Sequence, residues 1–203
     1  MRLIQHIIKD KEKLEEMEME LLKLGYMNYL MFDIGISTGL SISDILKLKV
    51  IDLKDKTRIK ITEQDTNREK SFLINSILKK EIGRYIKLMS EGEYLFKSRK
   101  GENEPISRVE AYRIFNIAAA TVGLEEIEPQ TLRKTFGYWH YNQNKDLALL
   151  QDIFNQSSPS VTLRYIGILE EIKYKSIKNL YLYKYNLKIR DEYLAPKWSA
   201  KID

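Results

Sequence analysis

The stretch from Arg58 to Ile74 limits the possible folds more than any other part of the chain. Arg58-Ile-Lys-Ile-Thr-Glu63 alternates charged and β-branched residues with the period of a half-exposed strand. Asp65-Thr-Asn67 places Asn where a turn tolerates positive φ, and Lys70-Ser-Phe-Leu-Ile74 supplies the return strand. The flanking sequence has a helical period instead. Residues near 10 to 24 read as a charged amphipathic helix ending before Gly25, and Met27 to Ser37, with Tyr29, Leu30, Phe32, Ile34 and Ile36, as a buried one. A short helix through Ile45-Leu46 follows Thr38-Gly39. Helical spacing returns at Leu78, breaks at Tyr94-Leu-Phe96 and at the Gly101 to Pro105 loop, and resumes from Arg108 to Val122. One hairpin set among helices predicts a mainly α chain with a small antiparallel β-sheet, an α+β fold.

A chain of 203 residues with 43% apolar content supports one well-buried core. The absence of cysteine removes disulfides and thiolate metal sites, and only His6 and His140 offer imidazole, so no metal site is expected. The N-terminal Ile7-Ile-Lys-Asp-Lys-Glu-Lys alternates apolar and charged residues and does not resemble a leader. No run approaches membrane-spanning length, and the expected location is cytoplasmic, nucleoid-associated if the chain is DNA-bound. The net charge of +5 is compatible with a polyanionic partner. It is unevenly placed: acidic residues gather at Glu15-Glu-Met-Glu-Met-Glu20 and basic ones follow Glu171.

Five segments, in order, carry a resemblance to a known family. They are Phe32-Asp-Ile-Gly-Ile-Ser-Thr-Gly-Leu-Ser-Ile-Ser-Asp44, Glu63-Gln-Asp-Thr66, Leu95-Phe-Lys-Ser-Arg-Lys-Gly101, Thr131-Leu-Arg-Lys-Thr-Phe-Gly137 and Ser157 to Gly167. Over roughly residues 10 to 170 the chain resembles the catalytic domain of phage integrases, the tyrosine recombinases. That resemblance implies a tyrosine that attacks a DNA phosphodiester without metal or other cofactor. Two arginines neutralise the phosphate, a lysine on a hairpin turn protonates the leaving 5′ oxygen, and two further residues, commonly histidines, manage hydrogen bonds and protons. Charge assistance is needed because a tyrosine hydroxyl of pKa about 10 is a poor nucleophile at neutral pH.

Carried over position by position, the resemblance retains Tyr165 as nucleophile and Arg133 as a phosphate-stabilising arginine. Ser41 stands where the family has its first arginine, Asp65 where it has its lysine, and Gln130 and Gln156 where it has histidines. Arg68 or Lys70 is near enough in sequence to take the lysine's role. Each residue also has a plainer reading. Tyr165 is one of 13 tyrosines, Arg133 can pair with an acidic neighbour, and Ser41-Ile-Ser-Asp44 has the spacing of a helix cap. His140, seven residues after Arg133 on the same helix face, lies about 10 Å further along and reads as packing or surface.

Fold placement suggests Arg99, Lys100, Arg108, Arg113, Arg133 and Lys134 as contacts to double-stranded DNA, since phosphate contacts are numerous and individually modest. The expected organisation is a catalytic-like domain over 1–169, with no separate N-terminal core-binding domain, and a C-terminal helix and tail over 170–203. The tail repeats apolar positions at Ile172, Tyr174, Ile177, Leu180 or Tyr181 and Tyr185, a helical face suited to homo-oligomerisation or to docking in cis. Three functional classes fit. Foremost is a catalytically impaired DNA-binding protein acting as a phage or mobile-element regulator or architectural factor. The alternatives are an active recombinase working through Tyr165, and an interaction protein that pairs with a competent recombinase.

Overall fold

The helix Tyr26–Thr38 (α2) is the one most of the core is built on, because its apolar residues are not confined to one stripe. Leu30, Met31, Phe32 and Ile34 are all fully buried. The computed structural model describes residues 6–62 and 69–178. Before α2 comes α1 (Lys11–Leu24), whose first turn is capped by the Asp10 carboxylate accepting from the backbone N–H groups of Glu12 and Lys13. It buries Met17 and Leu21 and leaves its charged face to water. The two helices meet at Gly25, whose φ of 133° lets the chain turn without a gap.

Past Thr38 come α3 (Ile42–Ile45), a turn of 3-10 helix at Val50–Asp52, and the hairpin. Its strands are β1 (Arg58–Thr62) and β2 (Glu69–Leu73), antiparallel in the register Ile59↔Phe72 and Ile61↔Lys70. The predicted strands are therefore present within a residue at each end, while the turn bearing Asp65 lies outside the described residues. α4 (Ser76–Ile86) packs Leu78, Ile82 and Ile86 inward, and α5 (Arg108–Thr121) sets Phe115 edge-on against Phe32.

Tyr94-Leu-Phe96, expected only as a break, does more. Tyr94 bridges Lys49, the Leu95 N–H donates to the Leu48 carbonyl at 2.8 Å, and Leu95 and Phe96 are fully buried. Leu95 and Phe96 can enter the core here because their backbone groups find partners at Leu48 and Ile106.

Beyond α5 come α6 (Thr131–Asn144), α7 (Leu147–Phe154) and α8 (Pro159–Tyr165). Leu150, Phe154, Ile166 and Ile168 form a second small core beneath them. The described residues divide into two units at Ile168, 6–168 and 169–178. α9 (Ile168–Lys178), all but its first residue in the second, carries Ile172, Tyr174 and Ile177 at helical spacing. The remaining tail positions Leu180, Tyr181 and Tyr185 lie outside the described residues. Among the described residues no helix is long and apolar enough to cross a membrane.

Candidate active site

Arg133 sits in the first turn of α6 and is held at both ends of its guanidinium. Nη1 donates to the Gly39 carbonyl and Nη2 to the Ile153 carbonyl, each at 2.8 Å, and the group lies 4.9 Å from the centre of the Phe154 ring. Both of these partners are backbone carbonyls. Gly39 is required at its position: φ is 74°, and a Cβ there would overlap the Phe136 ring. Two bonds from a planar fork fix the guanidinium more firmly than an exposed ion pair does.

Tyr165 ends α8, a helix started by the Ser158 hydroxyl accepting from the Val161 N–H and by Pro159 in its first turn. Gly137 on α6 lets α8 come close, since a Cβ there would lie 2.6 Å from Ile166 Cγ2 and 2.8 Å from the Phe154 ring. The tyrosine ring packs edge-on against Phe154, with centroids 5.1 Å apart, and Lys134 Nζ lies 5.8 Å from its centre. Its hydroxyl donates to Gln130 Oε1 at 2.6 Å. Burial pushes the hydroxyl pKa above its ordinary value, and the Arg133 charge beside it offsets only part of that rise.

Ser41, Gln130, Arg133, Gln156 and Tyr165 all line one cavity of about 350 Å³, together with Leu40, Asp44, Ile61, Lys70 and Phe72. Five of the six positions singled out in the sequence are thus brought together, and Asp65 is outside the described residues. Ser41 is occupied locally. Its hydroxyl caps α3 by accepting from the Asp44 N–H at 3.2 Å and donates to Asp44 Oδ2 at 2.6 Å. Gln156 Oε1 is buried with no hydrogen-bond partner among the described residues. Lys70 reaches the same cavity from β2, with Nζ 3.3 Å from the Ile153 carbonyl.

His140 packs against Phe136 with ring centroids 5.6 Å apart, and burial lowers its pKa. It does not line the cavity.

The other basic candidates are distributed differently. Arg99, Lys100 and Arg113 line a separate groove of about 1010 Å³ with Tyr26, Met27 and Asn28, at the opposite end of α2 from Leu40 and Ser41. A 13-residue helix separates the two places by roughly 20 Å. Arg113 is paired with Glu110 at 2.7 Å. Arg108 opens α5, and its charge acts on Tyr112, whose hydroxyl donates to the Pro129 carbonyl next to Gln130. Sequence reasoning missed Ile153 and Phe154, the carbonyl and the ring that position Arg133. A backbone oxygen leaves no sequence signal, although the apolar run Leu147 to Phe154 is legible as a helix.

Residues 9–171 match the model of the phage integrase family. The Bacillus subtilis (strain 168) protein named Probable integrase/recombinase YoeC is 50% identical over 164 residues, covering 81% of this chain and 90% of that one. Tyrosine recombinase XerC of Staphylococcus saprophyticus is 29% identical over 157 residues, 73% of this chain, and this chain spans about half (52%) of its length. The structure of the Tn1549 transposon integrase in complex with transposon right end DNA superposes with a TM-score of 0.64 at 17% identity, covering 83% of this chain and 65% of that one. That likeness establishes the fold, a mainly helical recombinase catalytic domain with a small sheet, and the family match with its half-identical relative establishes descent: the chain belongs to the phage integrase family.

Proposed function

We propose that this chain binds duplex DNA through backbone phosphate at the Arg133 cavity, does not exchange strands unaided, and serves a phage or mobile element as a regulator or architectural factor. The observation that carries the reading is the state of the neutral side chains around Arg133. Tyr165 gives its hydroxyl hydrogen to the Gln130 amide oxygen, which cannot take the proton, and Ser41 is closed on Asp44. Removing one preorganised donor from a transition state costs about 3–4 kcal/mol. Ser41, Asp65, Gln130 and Gln156 together lower the rate far more than one such loss, even though effects within a catalytic unit are not additive. Phosphate binding tolerates these changes better, because it needs positive charge and hydrogen-bond donors but no proton transfer. The Tn1549 integrase, which shares this fold, is in complex with transposon right end DNA, and this supports DNA as the partner.

A mobility shift on duplex DNA across a salt series tests the reading. Binding should weaken with salt, and Arg133→Ala should lose about tenfold or more, the worth of a charge-assisted contact. Arg133→Lys, which keeps charge without the fork, should fall between. No DNA affinity at low salt defeats the proposal and favours the protein-pairing alternative. Self-association through residues 170–203 belongs to the same reading. Solution mass with and without that segment tests it, and an unchanged mass rejects it.

The second reading is an active recombinase. It is favoured by Tyr165, Arg133 and Lys70 sharing one cavity, and by the recombinase name of the half-identical relative.

A further inference from the structure

Glu110, Arg113, Ile117 and Thr121 of α5 follow one another at three or four positions and so share one helix face. α1 flanks that face. Its last residue, Leu24, lines the groove together with Arg113 and Ile117, while Glu12 to Lys23 line a second cleft of about 620 Å³ with Thr121 and Val122 at the far end of α5. The two hollows are the two ends of one surface, and they carry opposite charge.

At the groove end Lys97, Arg99, Lys100 and Arg113 stand against Glu104 and Glu110. The Glu110 carboxylate is hydrogen-bonded to Arg113 and also feels the charges of Lys100 and Arg99, which together hold its pKa below the usual value. At the cleft end Glu12, Glu15, Glu16 and Glu20 stand against Lys13 and Lys23. Lys97 and Glu15 are also paired outside the hollows, with Glu93 and Lys11, which neutralises one charge at each end and leaves the opposition intact. Between the ends Met19, Leu24 and Ile117 are 57%, 47% and 43% exposed. An apolar middle flanked by both signs of charge is the make-up of a protein interface, whereas a nucleic-acid surface is dominated by positive charge.

Such a surface is complementary to itself. Turned by half a revolution about its middle, the acidic end of one copy falls on the basic end of another, and the exposed apolar side chains meet near the axis. We infer that the α1–α5 surface is an isologous interface, at which two copies of this chain pair about a two-fold axis, the acidic end of each on the basic end of the other. The pairing involves neither the Arg133 cavity nor residues 170–203, and it stands whether or not the chain binds DNA. Exposed ion pairs contribute little singly, so the apolar middle supplies most of the strength and the charged ends fix orientation, with a sensitivity to salt.

The chain contains no cysteine, so a single introduced one reports on its own surroundings. In the full chain without DNA, I117C should couple copy to copy through a short bismaleimide about tenfold faster than L88C, because pairing raises the effective concentration of the thiols. Leu88 is 95% exposed and lies outside this surface. In the I117C background, R99E/K100E and E15K/E16K should each lose most of that advantage, since reversal sets like charges together. Mixed in equal amounts the two should regain it, because one then has two acidic ends and the other two basic ends. The neutral R99Q/K100Q, milder toward folding, should slow coupling in the same direction. Coupling of I117C no faster than of L88C overturns the inference and leaves the surface to the C-terminal segment of the same chain or to a different partner. Coupling that neither reversal slows, or that mixing does not restore, overturns it as well. Weaker DNA binding in R99E/K100E with unchanged coupling would return Arg99 and Lys100 to DNA and overturn the pairing.

Discussion

Tyr165 donates its hydroxyl hydrogen to the side-chain oxygen of Gln130 at 2.6 Å. An amide oxygen accepts a hydrogen bond but is far too weak a base to remove the proton at neutral pH. The hydroxyl is also half-buried, which raises its pKa, and the charge of Arg133 opposes the rise. Its ionisation should therefore lie above that of an ordinary tyrosine, and Arg133→Gln should push it higher still. Ultraviolet difference titration against Tyr165→Phe in each background reads both values. A lower ionisation in Arg133→Gln would contradict the electrostatic account.

Ser41 holds α3 by its cap. Replacing it with Ala removes the acceptor for the Asp44 N–H and should cost about 1 kcal/mol of stability, with DNA affinity unchanged. A loss of affinity as large as that of Arg133→Ala would instead make Ser41 a DNA contact.

Gly137 sets the distance between α6 and α8. A Cβ at that position meets Ile166 and Phe154, both in the small core under Tyr165. Gly137→Ala should destabilise by about 1–3 kcal/mol, visible as a melting temperature lower by several degrees. An unchanged melt would show that α8 can move away at no cost, and with it that the Tyr165 position is loosely fixed.

The hairpin was legible because its strands alternate between a water face and a core face, and α2 because its dense apolar content reads as a buried helix. Tyr165, Arg133 and their substituted neighbours were legible from ordered motifs. Other parts were not. The Leu48–Leu95 pairing joins residues nearly fifty positions apart, and no local period announces it. Lys70 was singled out only by its nearness to Asp65, while its inward parity beside Phe72, which carries it to the cavity, was masked by its charge. Arg99 and Arg113 could be grouped with Arg133 by charge alone, and only the fold separates them along α2.

Glu18 on α1 is pushed up to about 7, first by burial and then by the charges of Asp33 and Glu15. A carboxyl whose pKa is higher in the folded state than its ordinary 4.5 keeps its proton more tightly when folded. Its contribution to stability is therefore full at low pH and is lost as pH rises from about 4.5 through about 7. Glu18→Gln should stabilise the protein at pH above 7 by about 1–2 kcal/mol after solvent screening, and have little effect near pH 4. Denaturant melts at the two pH values check it, and an equal effect at both would remove Glu18 from the account.

The central claim, a family member that holds DNA without cutting it, is met most directly by nicked suicide duplexes that trap any covalent intermediate. The chain should shift these duplexes in a native gel and leave no protein–DNA adduct after denaturation. An adduct that forms on such a duplex and disappears in Tyr165→Phe would contradict it.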